Sequence, residues 1–186
     1  MSQDQIIEQL VKDVAYLKDR AAILDCICKH ARAHDRFDVD MLTSAYHEDG
    51  VDEHGYAINP GPEYAKWANA IHEAGSQLHT HNITTHTCEI EGDVANCESY
   101  VMVALLNNDG ASARIISGRY IDRLEKRDGD WKISLRRSTV DVLIAGDASI
   151  LNAPIFKEQG YCKGLRDKQD VSYQRPLSLD VTPARW

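Results

Sequence analysis

Two side chains set far apart in the chain have the types needed for proton transfer. They are Asp35, within "ARAHDRFDVD", at a predicted helix end, and His81, within "LHTHNITTHT", on a predicted strand, and only a tertiary fold could bring them together. A carboxylate that accepts a hydrogen bond from one ring nitrogen fixes an imidazole's tautomer and makes the other nitrogen the better base. Such a pair is the orienting half of a catalytic triad without its serine. It can take a proton beside a carbonyl or benzylic centre and return it to a leaving hydroxyl. Residues 34 to 55 add His34, His47 and His54 among many carboxylates. A metal site is the competing reading of that run. No H-x-x-x-H pair falls on a predicted helix, however, and the spacings match no ligand motif. Neither a metal nor a cofactor is expected.

Other residues are candidates for the same site. His30 precedes Asp35 by five positions, close enough on a helix for both to border one cavity, and could donate to a substrate oxygen. His34 is expected to face solvent. Tyr46, His54 and Tyr120 offer hydroxyls or ring donors for substrate binding. Strand alternation puts His79, His81 and Ile83 on one face and His86 on the other, so His86 is expected outside the site. If the alternation begun by Trp131 and Ile133 persists, Arg137 and Asp141 turn inward. An inward Arg137 could pair with a substrate acid or a buried carboxylate.

Positioning these residues takes helices first and strands afterwards. Ile7, Leu10, Val14, Leu17, Ala21, Leu24, Cys28 and Ala31 recur at steps of three and four, which predicts helices near 4–18 and 20–34, continuous or kinked between them. Ile23 and Ile27 widen that stripe, so the second half is expected to be buried on more than one side. A coiled coil is the less favoured reading, because the pattern stops after about four heptads. Asp38 or Asp40 could cap a short helix through Tyr46. "NPGPEYAKWANAIHEA" predicts a helix over 62–74, after a short strand near 50–58. From Gly75 onward four segments rich in Thr, Val, Ile and Tyr are separated by "EGD", "NNDG" and "RDGD". That pattern predicts an antiparallel meander, hence an α+β domain with helices on one face of the sheet.

Composition bounds the partners. The chain has 186 residues, 43% hydrophobic and 27% charged, which suits one globular domain. A net charge of −8 argues against nucleic acid and disfavours anionic membranes. No apolar run reaches the length of a membrane span, and "MSQDQIIEQL" lacks the basic-then-apolar layout of a signal peptide, so a cytoplasmic location is expected. Five scattered cysteines read as reduced thiols.

"AAILDCICKHARAHDRFDVDMLTSAYHEDG", "THNITTHTCEIEGDVANCESY" and "GRYIDRLEKRDGDWKI" together resemble the SnoaL-like branch of the nuclear transport factor 2-like superfamily. The similarity runs over roughly residues 5 to 145. It implies a cone-shaped fold whose strongly curved antiparallel sheet and helices enclose a pocket. The domain would occupy 1–145, and 146–186 would form an irregular extension packed on it or on a neighbouring subunit. In dehydratase and dehydrochlorinase members an Asp–His pair carries the chemistry, and Asp35 and His81 stand at the matching positions. A tyrosine used by bile acid 7α-dehydratase is replaced here by His30. The resemblance thus implies a cofactor-free lyase, with His81, Asp35 and His30 catalytic, acting on a small hydrophobic, hydroxylated aromatic, polyketide or steroid-type substrate. Formaldehyde loss from a lignin-derived diaryl diol and isomerisation are variants needing the same proton transfers. A non-catalytic binding or association module is the rival on the same fold. Relatives imply a homo-oligomer, dimer or trimer.

Overall fold

The computed structural model describes all 186 residues. The chain opens with one continuous helix, α1 (Gln3–Asp35), started by a reciprocal Ser2–Gln5 capping box. Asp38 caps the short α2 (Val39–Thr43) by accepting from the Met41 amide. Then come β1 (Tyr46–His54), β2 (Ala57–Pro60), α3 (Gly61–Gly75), and four long strands. These are β3 (Ser76–Glu91), β4 (Val94–Asn107), β5 (Ser112–Arg127) and β6 (Asp130–Asp147). The sheet order is β2-β1-β6-β5-β4-β3. The predicted meander is present, but the sheet is mixed: β1 runs parallel to β6. The architecture is α+β, with the helices packed against an open, curved sheet.

The core lies between the helices and the inner sheet face. Ile23 and Ile27 of α1, Leu42, Tyr64 and Ala68 meet Leu124, Trp131 and Ile133. Two glycines permit close approaches there. A Cβ on Gly61 would stand 2.6 Å from the Tyr46 ring, and one on Gly118 would stand 2.0 Å from the Thr139 carbonyl oxygen. Only hydrogen fits at either place.

Three sequence expectations change. The stripe Ile7–Leu10–Val14–Leu17 faces water, not the core, and α1 grips the sheet with Ile23, Cys26, Ile27, His30 and His34 instead. In the second half of the helix two apolar stripes overlap, and periodicity alone does not say which one meets the sheet. On β3 a bulge between Ile83 and His86 resets the alternation, so His86 joins Cys88 on the inner side and bonds Ser99 Oγ at 2.9 Å. On β6 the register slips at Ser134, between the pairs Ile133–Leu124 and Leu135–Arg123. Arg136 therefore turns inward, while Arg137 faces outward and pairs with Glu53 at 2.8 Å.

Residues from 148 onward hold little regular structure and wrap the end of α1. Arg166 donates to His79 Nδ1 at 2.8 Å and to Ser76 Oγ at 2.6 Å. Tyr173 and Lys168 both bond Asp38, and Arg36 pairs with Asp170.

Candidate active site

The last turn of α1 delivers Asp35 to the edge strand β3. Its oxygens accept the backbone N–H of His81 at 3.0 and 2.9 Å, and Oδ1 lies 2.7 Å from His81 Nδ1. The arrangement makes Nδ1 the donor and leaves Nε2 with a lone pair. His81 borders a cavity of about 630 Å³, within the range of small-molecule sites. Val101, Val103, Leu105 and Ile116 give it apolar walls, and Tyr120, His72 and Arg114 add polar groups.

The imidazole of a second aspartate–histidine pair, His54, borders the same cavity. Asp52 and His54 sit two apart on β1, so both point to one face. Asp52 Oδ1 accepts from His54 Nδ1 at 2.7 Å, and Oδ2 accepts the Tyr46 hydroxyl at 2.7 Å. Tyr46 in turn accepts from His30 Nε2 at 3.0 Å, and Arg136 donates to His30 Nδ1 at 3.0 Å. Arg136 is anchored by both oxygens of Asp122 at 2.7 and 2.6 Å. From Arg136 Nη1 through His30 Nε2 to the Tyr46 hydroxyl, each donor points toward Asp52. Burial, and then Arg136, hold the His30 pKa well below its ordinary value. Burial and the neighbouring Asp52 push Tyr46 well above its own. Both are thus neutral, and the row runs from the buried Arg136 guanidinium to the buried Asp52 carboxyl group. Three strands separate β1 from β3 in the sheet order, so the sheet's curvature is what brings His54 and His81 to one chamber.

These positions correct parts of the sequence reading. His30 is fully buried with both ring nitrogens engaged, so it does not reach the cavity. Tyr46 is likewise occupied by Asp52 and His30. Arg137 lies outside, and the inward arginine is Arg136, whose guanidinium lies 4.0 Å from the Tyr120 ring centroid. His34 is buried, between Tyr64 at 3.1 Å and His79 at 3.3 Å. The cavity is bordered by Tyr120, His54 and His81 of the expected set. Burial raises the Tyr120 pKa, which keeps the phenol protonated. The spacing D-x-H at 52–54, on a strand, could have announced the second pair; His72 and Arg136 had no comparable signal.

His34, His72 and His79 bring ligand atoms within 4.8 Å of one another. The ring nitrogens of His34 and His79 are already committed. His79 Nδ1 accepts from Arg166, and its Nε2–H points at the His34 carbonyl at 3.0 Å. His34 Nδ1 faces that same N–H, and His72 Nδ1 is buried without a partner. A guanidinium beside one free lone pair does not suit a cation. Burial first, then neighbouring imidazoles, lower His72 to about 3 and His79 to about 2, so the cluster is neutral.

The sequence from residue 15 to 137 matches the SnoaL-like domain. The chain belongs to the SnoaL-like family. No curated protein matches it by sequence. Solved structures similar to this SnoaL-like chain include the hexachlorocyclohexane dehydrochlorinase LinA, 27% identical, covering 70% of this chain and 91% of that one with a TM-score of 0.66. A scytalone dehydratase-like protein of Novosphingobium aromaticivorans DSM 12444 is 20% identical, covering 69% and 88%, with a TM-score of 0.63. A protein of unknown function from Mycobacterium tuberculosis is 28% identical, covering 67% and 77%, with a TM-score of 0.60. The family match ends before residues 138–186, where the wrapping segment lies.

Proposed function

We propose that this chain is a cofactor-independent lyase that eliminates water, or another small leaving group, from a hydroxylated ring-bearing substrate. The observation that carries the reading is His81, held by Asp35 at 2.7 Å and bordering a largely apolar cavity. His81 Nε2 takes a proton from the carbon next to a carbonyl or aromatic ring. The electron pair left behind forms the new C=C bond as the C–O bond on the neighbouring carbon breaks. The departing oxygen leaves as water after receiving a proton from an imidazolium, either His81 itself or His54. Asp35 keeps the ring in place, and Tyr120 donates to the substrate oxygen on which charge develops. Dehydrochlorinase and dehydratase relatives of the same fold support this class of reaction.

A screen of hydroxylated aromatic and steroidal compounds, followed by absorbance for a new conjugated double bond, tests the proposal. The expected result is turnover that falls by about 10²–10⁴ in His81→Ala, the usual worth of a positioned acid–base group. A true substrate turned over equally well by His81→Ala overturns it. Release of an aldehyde in place of a new double bond would assign carbon–carbon cleavage to the same dyad. Ligand binding without turnover across the screen would favour a binding module.

A further inference from the structure

The first two-thirds of α1 carry an apolar seam that no other part of the chain covers. Ile7, Leu10, Val14, Leu17 and Leu24 are 51%, 56%, 51%, 62% and 37% exposed, and Ala21 is exposed with them. Their spacing is a heptad, with Ile7, Val14 and Ala21 at a, and Leu10, Leu17 and Leu24 at d. The residues that hold the helix to its own domain, Ile23, Cys26, Ile27 and His30, fall at c, f, g and c. The seam therefore points away from the body of the protein. The family match begins at residue 15, so the layers at Ile7, Leu10 and Val14 lie outside what this chain shares with the family.

Two features select the occupant. β-Branched residues at two of the three a positions, Ile7 and Val14, with leucine at every d, favour two parallel strands. Charge agrees with this. In a parallel pair each g position faces the next e position of the other helix. Ile6 then meets Val11 of the partner subunit, Asp13 meets Lys18 of the partner subunit, and Arg20 meets Asp25 of the partner subunit. One contact is apolar and two are attractive. An antiparallel pair built on the same layers would keep one attraction, Asp13 with Arg20 of the partner subunit. It would also set Asp4 against Asp25 of the partner subunit, a repulsion, and Val11 against Lys18 of the partner subunit. We infer that α1 pairs with α1 of a second copy as a parallel two-stranded coiled coil over residues 7–24.

Sedimentation of the full chain tests this. The wild type is expected as two chains, and Leu10→Asp with Val14→Asp as one. Both positions lie in water within a single chain, so the thermal transition of the domain should survive the change and shows that the fold is intact. Lys18→Asp alone should weaken association about tenfold, and adding Asp13→Lys should restore it, because the swap rebuilds the pair with reversed signs. In a Cys28→Ser, Cys162→Ser background, Ile7→Cys should give a covalent dimer with a short bis-maleimide, since a parallel seam sets the two copies of position 7 side by side. A wild type that sediments as one chain or three overturns the inference. So does an assembly indifferent to the Leu10 and Val14 changes, which would use another surface such as Val140, Val142 and Ile144 on β6. A dimer that fails to cross-link through position 7 overturns the parallel arrangement.

Discussion

The two aspartate–histidine pairs at the cavity have the same 2.7 Å contact but different foundations. Asp35 rests on a helix end and one strand amide, and both it and His81 keep a little exposure. Asp52 is wholly buried and closes a row of donors reaching back through Tyr46 and His30 to the Arg136–Asp122 ion pair. The first pair can be altered at small structural cost, which suits a group that must change protonation during turnover. The second carboxylate is tied into the core, so disturbing Asp52 disturbs the fold, whereas its imidazole His54 is 30% exposed and can be changed without opening the core. Geometry alone does not rank the two imidazoles; what stands behind each carboxylate does.

The largest effect is expected deepest. Asp122→Ala leaves the Arg136 guanidinium buried without its counter-ion and should lower unfolding free energy by about 3–5 kcal/mol in denaturant titrations. A loss below about 1 kcal/mol would mean that the row does not anchor Asp52, and the contrast would collapse.

Acid should act next. His30, His34, His72 and His79 all have folded pKa values below the ordinary histidine value, chiefly through burial. Between those values and about 6.5 the unfolded chain binds protons that the folded chain refuses, so stability rises with pH. It should be level above about pH 6.5. Below that it should fall by up to about 1.4 kcal/mol per pH unit for each histidine, a trend that continues toward about 3 for His72 and about 2 for His79. Denaturant midpoints at a series of pH values check the sign. Stability unchanged down to pH 5 would show that these rings accept protons in the folded state.

Much of this was legible beforehand, and the failures have physical causes. The turns after β3, β4 and β5 and the β-rich composition announced the meander. The match of Asp35 and His81 came from family resemblance, since no local spacing links a helix end to a strand. The inward arginine was misread because one slipped residue at Ser134 exchanges the faces of everything after it, as the bulge before His86 does on β3. The orientation of α1 was misread because exposed and buried apolar stripes have the same period. His30 was sited near Asp35 correctly in sequence, but its ring points into the Arg136 row and not the chamber.

A smaller effect separates the two pairs in function. His54→Ala should reduce turnover by about tenfold, less than the loss in His81→Ala, if His54 assists departure of the leaving group while His81 breaks the C–H bond. Steady-state kinetics on the substrate found in the screen check this, and equal losses would make the two imidazoles equal partners.

Turnover by Asp35→Asn shows whether the helix-end carboxylate makes His81 a working base. The amide can still accept the His81 backbone N–H, so the thermal midpoint should stay within a few degrees of wild type. Without the carboxylate that holds the ring, kcat should fall by about 100-fold or more. A variant that folds as well as wild type and keeps kcat within about twofold would contradict the account.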